Sequence, residues 1–193
     1  GTSSLAVAGA QPVVAAPSPT PTPAPVYRTV STLAGAADPG FADGPIATAR
    51  FSGPAGLAVD AAGNLYVADT NNHRIRKVGT DGQVSPVAGG DPGYADGPGD
   101  KAQFALPRRG LLDEAHQTLF VSEVDKPRIR KIVLGEKPVV STVAGSGTAG
   151  FADGPVASAQ FNVPLGMALD ADGSLYVADY ENSRVRKVKD GQV

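Results

Sequence analysis

The chain has 193 residues, with 41% hydrophobic and 19% charged residues, which is enough apolar content to build a core. A net charge of −2 and a pI near 5.6 give no global attraction to nucleic acid or to an anionic membrane. There is no cysteine and there are only two histidines, His73 and His116, so disulfides, thiolate chemistry and His-rich metal sites are excluded.

Residues 1–26 differ from the rest. Gln11 to Pro25 reads QPVVAAPSPTPTPAP, and proline at alternating positions favours an extended, semi-rigid spacer over helix or central strand. Leu5 to Ala10, LAVAGA, fits either the end of a secretory signal or plain linker. This segment is expected to be a Pro/Ala-rich linker carrying no chemistry.

Three copies of one pattern follow, at about 30–83, 84–139 and 140–193. Each opens on a short apolar run (VSTLAG, VSPVAG, VSTVAG) and continues with an aromatic-Ala-Asp-Gly-Pro motif. The aromatics are Phe41, Tyr94 and Phe151, spaced 53 and 57 residues apart. A period of this size points to propeller blades, not to a solenoid. Residues 46–51 have the composition of one helical turn that Asp43 would cap, with Phe41 and Phe51 tucked beneath it.

Within each copy the reading is four strands. In the first copy, Gly56–Asp60 is an apolar run and Ala61–Asn64 a turn. Leu65–Asp69, Arg74–Val78 and Val84–Ala88 follow as further strands. Tyr27–Ala34 matches the fourth strand, so the repeats predict antiparallel four-stranded blades with complementary ends.

The strings NLYVADTNNHRIRKV and SLYVADYENSRVRKV closely resemble the NHL repeat, and Asn72-His73-Arg74-Ile75 carries its most typical tetrapeptide. The resemblance covers residues 27–193 and implies an all-β fold: a β-propeller of four-stranded antiparallel blades, of which about three are present. NHL propellers usually have about six blades. Either further repeats lie outside this sequence or two chains join head to tail to close a ring. The middle copy departs from the pattern, with Arg108, Arg109, Asp113 and Glu114 in its inner strand and Lys126-Pro127 at the Asn-His position.

Two sets of candidate residues emerge. The first is the loop motif, whose Phe41, Asp43, Tyr94, Asp96, Phe151 and Asp153 would form a binding face on a rigid scaffold. The second is an acid–Arg pair at a spacing of five, Asp69/Arg74, Glu123/Arg128 and Asp179/Arg184, expected to be structural ion pairs across a hairpin. Asp60, Asp113 and Asp170 precede tight turns and are expected to bond backbone there. Asp170–Glu181 resembles a calcium loop but has Leu175 where glycine is needed, so it reads as a hairpin turn.

The functional expectation is a non-catalytic scaffold that binds a protein, peptide or glycan through its loop face. It would be bacterial and secreted, periplasmic or at the cell surface, with no cofactor and no metal. One alternative is a fragment of a lactonase- or lyase-type propeller enzyme with a metal in the channel, implied by the wider resemblance. Another is an RNA-binding domain using Arg74/Arg76/Lys77, Arg128/Arg130/Lys131 and Arg184/Arg186/Lys187; the net acidic charge and scarce aromatics argue against it.

Overall fold

The computed structural model describes residues 28–193, so the expected linker at 1–26 and residue 27 lie outside the described residues. Two units are distinguished, Gly1–Ser31 and Thr32–Val193, and the second holds the repeats.

That unit consists of three antiparallel sheets. The first contains β1 (Gly44–Pro45), β2 (Pro54–Val59), β3 (Leu65–Asp69), β4 (Arg74–Val78) and β5 (Gln83–Gly89), in the order β1-β5-β4-β3-β2. The second repeats it with β6 (Gly97–Pro98), β7 (Pro107–Asp113), β8 (Thr118–Glu123), β9 (Arg128–Val133) and β10 (Val139–Ala144), in the order β6-β10-β9-β8-β7. The third contains β11 (Pro164–Leu169), β12 (Leu175–Asp179) and β13 (Arg184–Val188). Each is a meander of neighbouring strands joined by tight turns, which is a propeller blade.

The order adds something the repeat pattern does not show. The Gly-Pro of each loop motif returns to its own blade and pairs with the outer strand, Gly44 opposite Val84 and Gly97 opposite Val140. In the third copy Gly154 and Val193 exchange both backbone hydrogen bonds. The loop is therefore stitched to the blade it precedes in sequence.

The expected strand at Tyr27–Ala34 is not formed over its described residues, 28–34. An outer strand exists only when paired to the third strand of its own blade, and residues 28–34 pair with no strand among the described residues. The helical turn expected at 46–51 forms over its first residues. There Thr48 and Ala49 both donate to the Pro45 carbonyl and close the single turn expected; what differs is its cap, since Asp43 bonds Arg76 instead.

The apolar interior lies between blades. Tyr66, Ala68, Ile75 and Ala88 of the first blade pack with Phe104, Leu119, Val121, Ile132 and Val140 of the second. Ile129 and Ala144 pack with Phe161, Leu175, Val177 and Val188 of the third. A third cluster, Ala49, Val67, Val78 and Val84, lines the leading face of the first blade, with Leu57 64% exposed there. On the trailing face of the third blade Val185 is 76% exposed, although its counterpart Ile75 is buried. These end faces present the same residue types that meet at the internal junctions.

The inner strands come closest together. A methyl group placed on Gly56 would lie 2.5 Å from the Arg108 carbonyl oxygen, so only glycine admits this approach. Arg109 donates to the Ala55 carbonyl (2.7 Å) and Thr70 Oγ1 to that of Pro107 (2.7 Å), joining first blade to second.

Candidate functional site: the loop face

The aromatic residues that open each loop motif and the turns between second and third strands lie at one end of the blades, where Pro54 registers with Asp69, Pro107 with Glu123 and Arg74 with Gly89, while the Gly-Pro of the motif runs to the other end, beside the start of the outer strand. The first of these ends is the loop face, and its organising residue is an arginine.

Arg76, Arg130 and Arg186 stand in the middle of their strands and are buried. Arg76 donates to the Asp69 and Asp43 carboxylates and to the carbonyls of Ala42 and Arg50. Arg186 repeats the set with Asp179 (2.8 Å), Asp153 (2.9 Å), Ala152 (2.8 Å) and Gln160 (2.9 Å). Arg130 bonds Glu123 (3.0 Å), Asp96 (2.6 Å), Ala95 (2.8 Å) and Gln103 (3.0 Å). One guanidinium thus holds the end of the second strand, the loop motif and the residue entering the inner strand. Its fixed fork of donors suits it to several acceptors at once.

This corrects the expected ion pairs. Asp69, Glu123 and Asp179 bond the arginine seven positions on, not Arg74, Arg128 or Arg184 at five. Asp69 does lie opposite Arg74 in the ladder. However, its carboxylate turns inward, where the Ser52 N–H donates to Oδ1 (2.7 Å) and Asn72 Nδ2 to Oδ2 (2.8 Å). Only the diagonal Arg76 reaches that position. Asp43 likewise caps no helix; it is the second carboxylate on Arg76.

Arg74, Arg128 and Arg184 have a different role. Their guanidiniums lie over the rings of Phe41 (4.2 Å), Tyr94 (3.8 Å) and Phe151 (4.0 Å). The buried arginine comes within 5.0 Å of the same ring in each copy. The buried arginine also lies near Phe51, Phe104 or Phe161 (4.6, 5.1 and 5.0 Å). Such contacts contribute about 0.5–2 kcal/mol each. Phe51 is tucked in as expected, but Phe41, Tyr94 and Phe151 are 46%, 45% and 46% exposed. Three half-exposed rings, each carrying arginine, stand on one face.

The middle blade differs in detail. Asp96 turns its carboxylate toward the outer strand, accepting from Thr142 N–H (3.1 Å) and Oγ1 (3.2 Å), and Arg130 Nε is left buried without a partner. Burial pushes the Glu123 carboxyl above its ordinary range, against the opposing pull of Arg130. In the outer copies the second turn ends on a left-handed residue, His73 (φ 54°) or Ser183 (φ 51°). Pro127 stands there in the middle copy, and its ring forbids that conformation.

The opposite end is occupied by turns. Asp60 accepts from Asn64 N–H (2.8 Å) and Nδ2, which lowers its pKa, and Asp113 bonds His116. Asp170 accepts from the backbone of Asp172 and Ser174, as a hairpin turn requires, and Asp172 pairs with Lys189. Among the described residues no three His, Cys, Asp or Glu side chains converge as metal ligands. No described helix is long and apolar enough to cross a membrane.

The family model for the NHL repeat matches residues 51–78 and 161–188, the strand-turn-strand regions of the first and third copies. The chain is an NHL-repeat propeller protein. The unmatched middle copy is the one with Lys126-Pro127 at its turn. This NHL chain is 32% identical over 152 residues to Protein SUPPRESSOR OF QUENCHING 1, chloroplastic, of Arabidopsis thaliana, an alignment covering 73% of the chain and 14% of that protein. It is also 32% identical to NHL repeat-containing protein 2 of Bos taurus, over 72% of the chain and 21% of that protein. The NHL chain therefore spans only about a fifth or less of these relatives. Among solved structures it resembles auxiliary nutrient binding proteins of Bacteroides ovatus (TM-score 0.58, 27% identity) and Bacteroides thetaiotaomicron (TM-score 0.60, 26% identity). Each covers 69% of the chain and 36% of the neighbour.

Proposed function

We propose that this NHL propeller is a non-catalytic binding scaffold that takes a protein, peptide or glycan partner on its loop face, outside the cytoplasm. The observation that carries this is the threefold construction of that face. Each loop is clamped by a buried arginine and presents a half-exposed ring capped by a second arginine. Pre-ordered aromatic and arginine side chains are what recognition surfaces enrich, because little entropy is lost when a partner lands on them. The likeness to two auxiliary nutrient binding proteins supports a binding role.

The end faces are covered by further blades of the same repeat. A second copy would set Tyr176, Ala178 and Val185 against Phe51, Leu65, Val67 and Val78, where their counterparts Tyr66, Ala68 and Ile75 meet Phe104, Leu119, Val121 and Ile132. A monodisperse monomer by light scattering excludes the second copy as that cover.

The partner reading is tested by capture from cell-envelope extract. Tyr94→Ala and Phe151→Ala should abolish capture of the specific partner, and Lys137→Gln at the opposite end should leave it intact. Capture unchanged by the loop-face substitutions would refute the reading.

A further inference from the structure

The middle blade breaks its repeat at one place the clamps do not explain. The inner strands begin Pro-Ala-Gly-Leu, Pro-Arg-Arg-Gly and Pro-Leu-Gly-Met, so Arg108 and Arg109 stand where the other copies have an apolar residue and a glycine. Neither substitution serves packing, since both arginines are exposed. Pro107 pairs with Glu123 and Arg109 with Ser122, so Arg108 is the extra residue of a β-bulge that the first blade also has, at Ala55; the middle blade alone places arginine on it. Bulges re-aim side chains, and they recur beside binding sites.

Position and charge then coincide. These residues start the inner strand, at the loop-face end, and the inner strand of a blade lies nearest the propeller axis. Each clamp around them is balanced. The first holds Asp43, Asp69, Arg74 and Arg76; the second Asp96, Glu123, Arg128 and Arg130; the third Asp153, Asp179, Arg184 and Arg186. In each, one guanidinium pairs with the carboxylates and the other lies over an aromatic ring, whereas Arg108 and Arg109 have neither a carboxylate nor a ring against them among the described residues. Neither forms an ion pair among the described residues. Arg109 is oriented by its bond to the Ala55 carbonyl, which leaves most of its donors unused.

We propose that Arg108 and Arg109 form an oxyanion-binding pair at the centre of the loop face, taking a carboxylate or phosphate group of the ligand. Guanidinium forks match both groups with parallel N–H bonds. The inference rests on the loop-face reading and adds the charge of what lands there.

The test follows the arginine Nε–Hε NMR signals of the full chain during titration with citrate and, separately, with inorganic phosphate. Saturable shifts at Arg108 and Arg109 are expected, with Arg108→Gln weakening binding at least tenfold and Lys101→Gln leaving it unchanged. Arg108 is exposed and makes no side-chain bond, so its variant keeps the fold. Tighter citrate binding identifies the carboxylate, and tighter phosphate binding the phosphate. No saturable shift with either ion, or an unchanged affinity in Arg108→Gln, overturns the proposal. Failure here with partner capture intact removes the anion pair alone. Lost capture specificity with normal anion binding removes the partner reading alone.

Discussion

The reassigned ion pair is open to a double-mutant cycle in the middle blade, where both sides are covered. Glu123 is 1% exposed; Oε1 accepts the Ala105 N–H (2.7 Å) and Oε2 accepts Arg130 Nη1 (3.0 Å). Arg130→Gln leaves that carboxylate buried with a single donor, at a cost of about 3–5 kcal/mol. Glu123→Gln keeps an acceptor for Ala105 and leaves Arg130 neutralised by Asp96, so it should cost about 1–3 kcal/mol. The double variant buries two neutral amides, and the coupling should come to about 2–3 kcal/mol. Arg128→Gln gives the contrast. It loses the Tyr94 ring contact (3.8 Å) and the bond to the Ser146 carbonyl (2.8 Å), about 0.5–1.5 kcal/mol. It should add to Glu123→Gln within about 0.5 kcal/mol. Urea unfolding of the single and double variants measures all these terms. Coupling of Glu123 to Arg128 as large as that to Arg130 would refute the assignment.

Two other outcomes are expected. Because burial raises the Glu123 pKa, its contribution is fully present below the ordinary glutamate range and is lost as pH rises through the raised value. The stability of the wild type relative to Glu123→Gln should therefore fall as pH rises above the ordinary glutamate range in thermal melts, and a constant or growing difference would contradict this. Gly56→Ala should destabilise by about 1–3 kcal/mol, because the new methyl meets the Arg108 carbonyl and the Arg109 Cα (2.5 and 2.7 Å). Gly166→Ala should cost under about 1 kcal/mol, since its methyl meets only Ala178 Cβ at 3.7 Å. Chemical denaturation of both variants checks the pair, and equal costs would rule out the close approach of the inner strands.

The blades were legible because each copy shows the same strand and turn signals in phase. The run Leu65–Asp69 and the strand Arg74–Val78 fall where the sequence puts them. What escaped was tertiary. A spacing of five identified the residues that face each other in the ladder, Asp69 and Arg74, but facing backbones do not decide which guanidinium a carboxylate reaches. The loop motif carries no strand signal, although Gly44–Pro45 is a strand of its own blade; that pairing forms only once the chain has travelled round to Val84. A sequence signal for the clamp did exist. Arg76, Arg130 and Arg186 recur at the centre of the third strand in every copy, and a buried arginine requires carboxylates near it. Three acids recur in every copy, and the two at the loop-face end, one in the loop motif and one at the end of the second strand, are those the arginine takes. Residues 28–34 show the opposite limit, in which a strand-like sequence that finds no partner among the described residues makes no strand.

The claim that a buried arginine holds each loop in place is tested most directly by proton exchange at the guanidinium groups. Arginine-selective NMR of the full chain should show slowly exchanging side-chain protons for Arg76, Arg130 and Arg186, and fast exchange for Arg74, Arg128 and Arg184. Protection at the second set instead of the first would mean that the loops are held some other way, and the face built on them would lose its basis.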